Sequence, residues 1–537
     1  MIANKKILLV CKETFSYPMF FLGKELEKNN EVHYFFIHNS EVINKDSFNT
    51  NTYFYFKKNI NNNFIHDVND LNIKFLANKK NIKIDLSRLK EIENKYTNFS
   101  NLNTQLLSSQ LTSTTYHDRF FFPPPNYNES IYWLILNYDK CENLLDTIKP
   151  NCIFDLDTGD LPRTIINEIA NYKNIMYVNL DHSRYKSYLL PLFSLGRNVD
   201  EYFINTFNNI KTKNKTVLND YFHEIDEYRS QQKIMPKIYD GQITSKYDYS
   251  FSETIKFIFL KIYGFFRDRI KSYLYDKIKI PLDTPLYSNP YKRIFFSIVK
   301  PLRSYFLYSK FNKYFELPED EKYIYMPLHQ IPESSTYISA PMYVNEISLI
   351  ETISKLLPIS WKLYVKEHQS MIGKRNLEFY KKIKTLHNVK IVQSNLYKDP
   401  KPWIEKSIGV ITITGTTAFE ASMLNKPAIV FGEAFYNVIS GIKIANNFKN
   451  LENLFKLIEN NNWQNDNKID CAKYIKTVKE VGVDLNLRLL MDLSFKKITS
   501  KILSKDEEMN FDENIKKLIK FYEKSFELYK INKKTGT

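Results

Sequence analysis

Apolar residues fall along this chain in two rhythms, and the switching between them predicts its architecture. Residues 6–11 (KILLVC) are apolar without a break from Ile7 to Cys11, as expected of a strand buried on both faces of a parallel sheet. A helical pattern over about 18–28 and a second run at 31–37 make the opening βαβ. The next hundred residues are Asn-rich, with helices predicted at 86–96 and 129–148. The strand–helix pattern returns with a strand at 152–156, a helix at 161–172 with Pro162 in its first turn, and a strand at 175–180.

From Lys322 the alternation is clearest. Strands are predicted at 323–328, 361–365, 389–393, 409–414 and 428–431, with helices at 345–356, 375–385, 402–406 and 417–424. Strands alternating with helices imply a parallel sheet covered on both faces. Residues 485–537 read as charged helices with an apolar rhythm at Ile515, Leu518, Ile519 and Tyr522. The pattern therefore predicts an α/β protein of two Rossmann-like lobes facing a cleft. The expected divisions are an N-terminal lobe at 1–240, a helical insert or linker at 241–320, a C-terminal lobe at 321–475 and C-terminal helices at 476–537.

Composition and charge sharpen this picture. The 43 % apolar and 15 % aromatic content excludes a disordered chain or a coiled coil. Of the net charge of +16, the segment 246–315 supplies +9, from fourteen Lys/Arg and five Asp/Glu. Twenty of its seventy residues are Phe or Tyr. It reads as helices broken at Pro281, Pro285, Pro290 and Pro301. Cations spaced among aromatics in this way suit an anionic membrane surface, and no nucleic-acid-binding signature accompanies them. The four cysteines show no CxxC pair, so neither a disulfide framework nor a zinc site is expected. The N-terminal apolar run is too short for a signal peptide, and no run reaches the ~18–20 residues of a membrane span. The expected location is cytoplasmic, peripheral on the inner face of a membrane. Only 12 glycines are present, where a chain this long averages roughly 38. Those retained mark places where the backbone needs them.

Candidate chemistry collects at predicted strand ends. Within 409–436 (GVITITGTTAFEASMLNKPAIVFGEAFY) a buried strand ends in Thr414, Gly415, Thr416 and Thr417, and a helix begins at once. Free backbone N–H groups and the positive helix end suit a phosphate there. Gly415 permits close approach, and Thr416 or Thr417 can cap the empty helix and donate to a phosphate when it is occupied. Glu420, one turn on, can accept two ribose hydroxyls. After the strand at 361–365 come Lys366, Glu367 and His368, then Arg375, a set suited to phosphate or carboxylate. After the strand at 323–328, His329 and Glu333 enter a Pro-containing loop where they can touch a nucleotide or an acceptor. In the N-terminal lobe the strand ends carry Glu13 and Thr14, then Asp155, Asp157 and Asp160, then Asp181, His182 and Arg184. Among these, Asp157, Asp181 and His182 are the candidates for a base that takes a hydroxyl proton.

Residues 323–436 resemble the capsule polysaccharide biosynthesis family of bacterial glycosyltransferases, which includes the Kdo transferases of capsule assembly. The family shows K-x-HP, then (N/T)-(S/G)-T-x-x-x-EA, then GKP and G-x-x-x-Y. Here these read Lys366-Glu367-His368, Thr414-Gly415-Thr416 with Glu420-Ala421, Lys426-Pro427, and Gly432 to Tyr436. Gln369 stands at the usual Pro and Asn425 at the usual Gly. The resemblance implies a GT-B-like fold, with a nucleotide-sugar donor held by the C-terminal lobe and a glycan or glycolipid acceptor by the N-terminal lobe. It implies transfer without a bound metal or other cofactor. On this reading Lys366, His368, Thr416 and Thr417 hold phosphate and Glu420 holds ribose. The expected activity is transfer of a sugar, Kdo or another acidic sugar among the options, onto a lipid-linked or growing capsule glycan. A sugar-nucleotide 2-epimerase of the same fold and a non-catalytic capsule-assembly protein are the alternatives.

Overall fold

The computed structural model describes residues 2–37, 48–97, 101–109, 126–159, 161–210, 215–234, 250–275, 290–331, 333–393, 399–463 and 467–535. Asp160, Pro332, Pro281 and Pro285 lie outside them.

Continuous apolar strands, buried on both faces, build two sheets. The first contains β1 (Lys6–Cys11), β2 (Glu31–Phe36), β3 (Ile65–Asp67), β4 (Cys152–Phe154), β5 (Met176–His182) and β6 (Tyr188–Leu192). Its order is β3-β2-β1-β4-β5-β6, parallel except for β6, which returns antiparallel on β5. Ile7, Leu9 and Cys11 face one hydrophobic cluster while Leu8 and Val10 face another, so both sheet faces are covered.

The second sheet contains β7 (Tyr323–Pro327), β8 (Lys362–Lys366), β9 (Val389–Val392), β10 (Gly409–Thr412), β11 (Ala428–Val430) and β12 (Ile442–Ile444). Its order is β9-β8-β7-β10-β11-β12 and every pair is parallel. Both sheets thus carry the doubly wound order that reverses beside the first strand, at β1/β4 and at β7/β10. Two such lobes give the GT-B-like α/β class expected from the sequence.

The chain's last elements go back to the first lobe. Val483–Asp484 (β13) pairs antiparallel with β6 and extends the first sheet. The helix Lys505–Thr535 stacks Tyr522 on Phe154 of β4, with ring centroids 4.0 Å apart, and the Tyr522 hydroxyl donates to the Asp155 carbonyl at 2.8 Å. The helices expected over 476–537 therefore complete the N-terminal lobe. Between the lobes, the helix Lys468–Val481 places Tyr474 against Phe203 and donates from its hydroxyl to the Ser183 carbonyl at 2.6 Å. The Arg229 guanidinium donates to the Met423 carbonyl at 2.7 Å, another tie from first lobe to second.

The basic segment is helical, as expected, over Phe251–Tyr275 and Pro290–Ser309. The break expected at Pro301 is absent, because Pro301 lies inside the second helix. An interior proline costs ~3 kcal/mol. Packing of the following turn on the second lobe, through buried Ser304 and Leu307, outweighs that loss. Pro290, expected to break a helix, begins one instead, where its missing N–H is not needed.

Candidate functional site

Three strand ends meet beyond the carboxyl edge of the second sheet. Because β7 lies between β10 and β8, His329, the turn at Thr414 and Gly415, and Lys366 with His368 converge where the strand order reverses. Gly415 ends this turn and precedes the helix Thr416–Met423. A Cβ on Gly415 would stand 2.5 Å from Thr412 Oγ1, so only glycine fits. Thr412 Oγ1 also accepts from the Gly415 N–H at 3.2 Å and lies 3.0 Å from His329 Nε2. The Tyr436 hydroxyl donates to the Gly415 carbonyl at 3.0 Å, pinning the turn from the loop after β11. Gly432, between them, has Thr414 Cγ2 only 2.5 Å from where its Cβ would be. Because Gly415 itself is the N-cap, no side chain caps this helix, which corrects the expectation that Thr416 or Thr417 does. Thr416 is half-buried and Thr417 buried, both in the helix's first turn.

Lys366 and Glu420 face each other electrostatically across this turn. Burial lowers the Lys366 pKa to about 8, against the opposing pull of Asp399 and Glu420. Burial raises the Glu420 pKa to about 8, with Asp399 adding to the rise and Lys366 and Arg184 opposing it. Asp399 itself accepts from the Ile234 and Lys401 backbone N–H groups, both at 2.9 Å. Among the described residues the Glu420 carboxylate makes no hydrogen bond, although the residue is only 8 % exposed. A buried acceptor left in this state is ready for a ligand's hydroxyls.

Arg375 and Glu367 have a different task. The Arg375 guanidinium is buried between Glu346 (2.6 Å) and Glu367 (3.0 Å) and donates to the His329 carbonyl at 2.9 Å. Glu346 accepts from the His329 N–H at 2.9 Å, and the Tyr380 hydroxyl donates to Glu367 at 2.8 Å. Arg375 thus braces the His329 and His368 loops, which corrects its expected place on a phosphate: two carboxylates already neutralise it. His368 caps the short helical turn Gln369–Met371, its Nδ1 accepting from the Ser370 N–H at 3.2 Å. Burial, then Arg375, Lys374 and Lys366, lower its pKa to about 4, and burial lowers that of His329 to about 3. Both imidazoles are neutral at pH 7 and act as dipolar donors or acceptors. Glu333 stands further along the loop, where its carbonyl accepts from the Thr336 and Tyr337 N–H groups.

In the first lobe the three candidate bases part company. Asp157 pairs with Arg163 Nη1 at 2.8 Å and accepts from the Thr158 N–H at 2.9 Å. Arg163 is wholly buried and also holds Asp155 at 2.7 Å, so Asp157 belongs to a bracing network. Asp181 and His182 end β5. Asp181 accepts from the His182 N–H at 2.7 Å and lies 3.9 Å from Arg184 Nη2. His182 is exposed at the strand end, and desolvation and then Arg184 lower its pKa while Asp181 opposes them. Arg184 has φ +65°, a left-handed conformation uncommon outside glycine. Its charge is felt at Glu420, His329 and Tyr436 of the other lobe. The sequence pointed to Arg184 only as a neighbour of Asp181. Nothing in the sequence marks Asp399, Glu346 or Tyr380, because isolated acids or tyrosines carry no spacing signal. Glu13 and Thr14 fall in the short turn Glu13–Phe15 after β1.

Residues 286–453 match the family model described as capsule polysaccharide biosynthesis protein. That stretch is about a third of the chain. The family segment contains the site's second-lobe residues from His329 to Tyr436, and its two departures keep their geometry. Asn425, at the usual Gly, has φ +59°, which Asn tolerates better than other side-chain-bearing residues. Gln369, at the usual Pro, follows a His368 that remains extended (φ −73°, ψ 128°), as a residue before proline would be. No curated protein matches the chain. Solved structures similar to it include Thermosulfurimonas dismutans KpsC, a beta Kdo 2,7 transferase (12 % identity, 59 % of this chain and 78 % of that one, TM-score 0.27). S. aureus MnaA with UDP (11 %, 94 % and 99 %, 0.26) and the Neisseria meningitidis UDP-GlcNAc 2-epimerase bound to UDP-GlcNAc (12 %, 88 % and 100 %, 0.23) are also similar.

Proposed function

We propose that this protein is a capsule glycosyltransferase that moves a sugar from a nucleotide-sugar donor to a glycan or glycolipid hydroxyl. The observation that carries the reading is the buried Glu420 carboxyl, which makes no hydrogen bond among the described residues and feels the charge of buried Lys366, beside the glycine-ended turn inside the matched segment. In this mechanism Glu420 accepts the ribose hydroxyls. The donor phosphate lies at Gly415, Thr416 and Thr417, where Lys366 and the helix's positive end stabilise the charge that develops as it leaves. Those groups meet that charge without calling on a metal. An acceptor hydroxyl attacks the anomeric carbon and gives its proton to Asp181 or to the neutral His182 imidazole. Arg184 neutralises charge between the lobes. The donor sugar, Kdo or another acidic one, remains part of the proposal.

The test is a reaction with a panel of nucleotide sugars, with and without capsule glycolipid. Donor consumed only when acceptor is present supports transfer. A new sugar-nucleotide epimer formed without acceptor would instead establish a 2-epimerase. No turnover, together with no nucleotide binding, would sink both enzyme readings in favour of an assembly protein.

A further inference from the structure

The two helices of the basic segment, Phe251–Tyr275 and Pro290–Ser309, pack against each other as an antiparallel hairpin. Phe265 meets Tyr291 at 5.9 Å and Phe251 meets Tyr305 at 5.5 Å. The first helix buries Thr254 and Ile258 on its inner face. Its outer face holds Phe259, Leu260, Tyr263 and Phe266, each between 59 % and 67 % exposed. Phe259, Tyr263 and Phe266 recur at i, i+4, i+7, one stripe of a helix. Lys256, Leu260, Tyr263 and Arg267 form the adjoining stripe at i, i+4, i+7, i+11, so cations flank the apolar residues. Apolar side chains this large, clustered and in water mark a surface meant to be covered.

Charge decides what covers it. The two helices hold nine Lys/Arg and two Asp/Glu, and the second helix has no acid at all. Burial and then the neighbouring Lys261 lower the Lys300 pKa, a mutual repulsion that an anionic surface relieves. A second copy of the same face would only add to that repulsion. No helix among the described residues is long and apolar enough to cross a membrane, so the hairpin would lie on one. Its root fixes where. Ser304 donates to the Ile372 carbonyl at 3.4 Å and occupies the space a Cβ on Gly373 would need, while Arg303 reaches the Lys374 carbonyl. Those residues join the His368 turn to Arg375, so the hairpin stands on the loop that walls the cleft.

We propose that this hairpin is an interfacial anchor: it lays Phe259, Tyr263 and Phe266 into an anionic phospholipid surface, with its lysines and arginines at the headgroups, and so holds the cleft beside the bilayer. Aromatic and basic residues combined on one helix face bind such interfaces by apolar burial plus electrostatic attraction.

The test uses the full chain and vesicles of phosphatidylcholine, with or without phosphatidylglycerol, in a sedimentation assay. The protein should pellet with the anionic vesicles, and high salt should weaken this. Combined Phe259→Ser, Tyr263→Ser and Phe266→Ser should lower the bound fraction by at least about tenfold, as should Lys256→Glu with Lys261→Glu. Melting temperature and nucleotide binding should stay unchanged in both. Phe259→Trp supplies a second readout that does not depend on losing a contact. The four native tryptophans are buried, so the added indole dominates any response, and its emission should shift to the blue on adding anionic vesicles. Protein left in the supernatant, equal pelleting by the serine variant, or no blue shift would overturn the proposal. So would a dimer that the serine variant dissolves while vesicles are ignored. The assay needs neither donor nor acceptor, so its outcome is separate from that of the transferase reading.

Discussion

At the scale of single residues, Lys366, Glu420 and Arg375 divide binding from bracing. A bound phosphate raises the Lys366 pKa above its free value of about 8, so nucleotide affinity should fall as pH rises through about 8. Titration calorimetry across about pH 7–9 checks this, and Lys366→Arg should flatten the fall, because its guanidinium stays charged. Above pH 8, where Glu420 is ionised, Glu420→Gln should cost about 1.5–3 kcal/mol of nucleotide binding, the worth of hydrogen bonds to a charged acceptor. The same change should raise the melting temperature above pH 8. Glu420 has its folded pKa raised, so the folded state holds that proton more tightly. Stability is therefore lost as pH climbs from the ordinary carboxylate value through about 8, and glutamine removes the loss. Arg375→Ala should behave oppositely, costing about 3–5 kcal/mol in urea unfolding because it strands Glu346 and Glu367. Asn425→Gly should be tolerated, whereas Asn425→Val should cost roughly 1–2 kcal/mol at its left-handed φ.

At the scale of elements, what was legible depended on how local the deciding interaction is. Continuous apolar runs placed β1, β2 and the central strands of the second lobe within a residue or two. The Thr414–Gly415 turn and Lys366 were legible because their positions follow from strand ends. The role of Arg375 was not, since the partner that claims it, Glu346, lies twenty-nine residues away at the start of a helix. Asp157 misled for the same reason: its spacing beside Gly159 shows nothing of Arg163 closing over it. β13 is two residues long and exists only because β6 is there to receive it. Pro301 reads as a breaker in isolation and is overruled by tertiary packing. The return of the last helix to the first lobe is likewise a long-range event. Tyr522→Ala should therefore destabilise the protein by about 3–5 kcal/mol, visible in urea unfolding.

At the scale of the whole molecule, two doubly wound sheets are tied by Tyr474 and Arg229, with Arg184 of one lobe acting on Glu420 of the other. The excess positive charge is local to the hairpin rooted beside the cleft. If the second-lobe wall binds a nucleotide sugar, a thermal-shift panel of nucleotides will show it. Wild-type protein and Glu420→Gln are melted with CMP, UDP, GDP, CDP and CMP-Kdo. A ligand at ~100 times its Kd stabilises by about 2.7 kcal/mol. At least one nucleotide should raise the wild-type melting temperature and do so markedly less for Glu420→Gln. No shift with any of them, or an equal shift in both proteins, would contradict it.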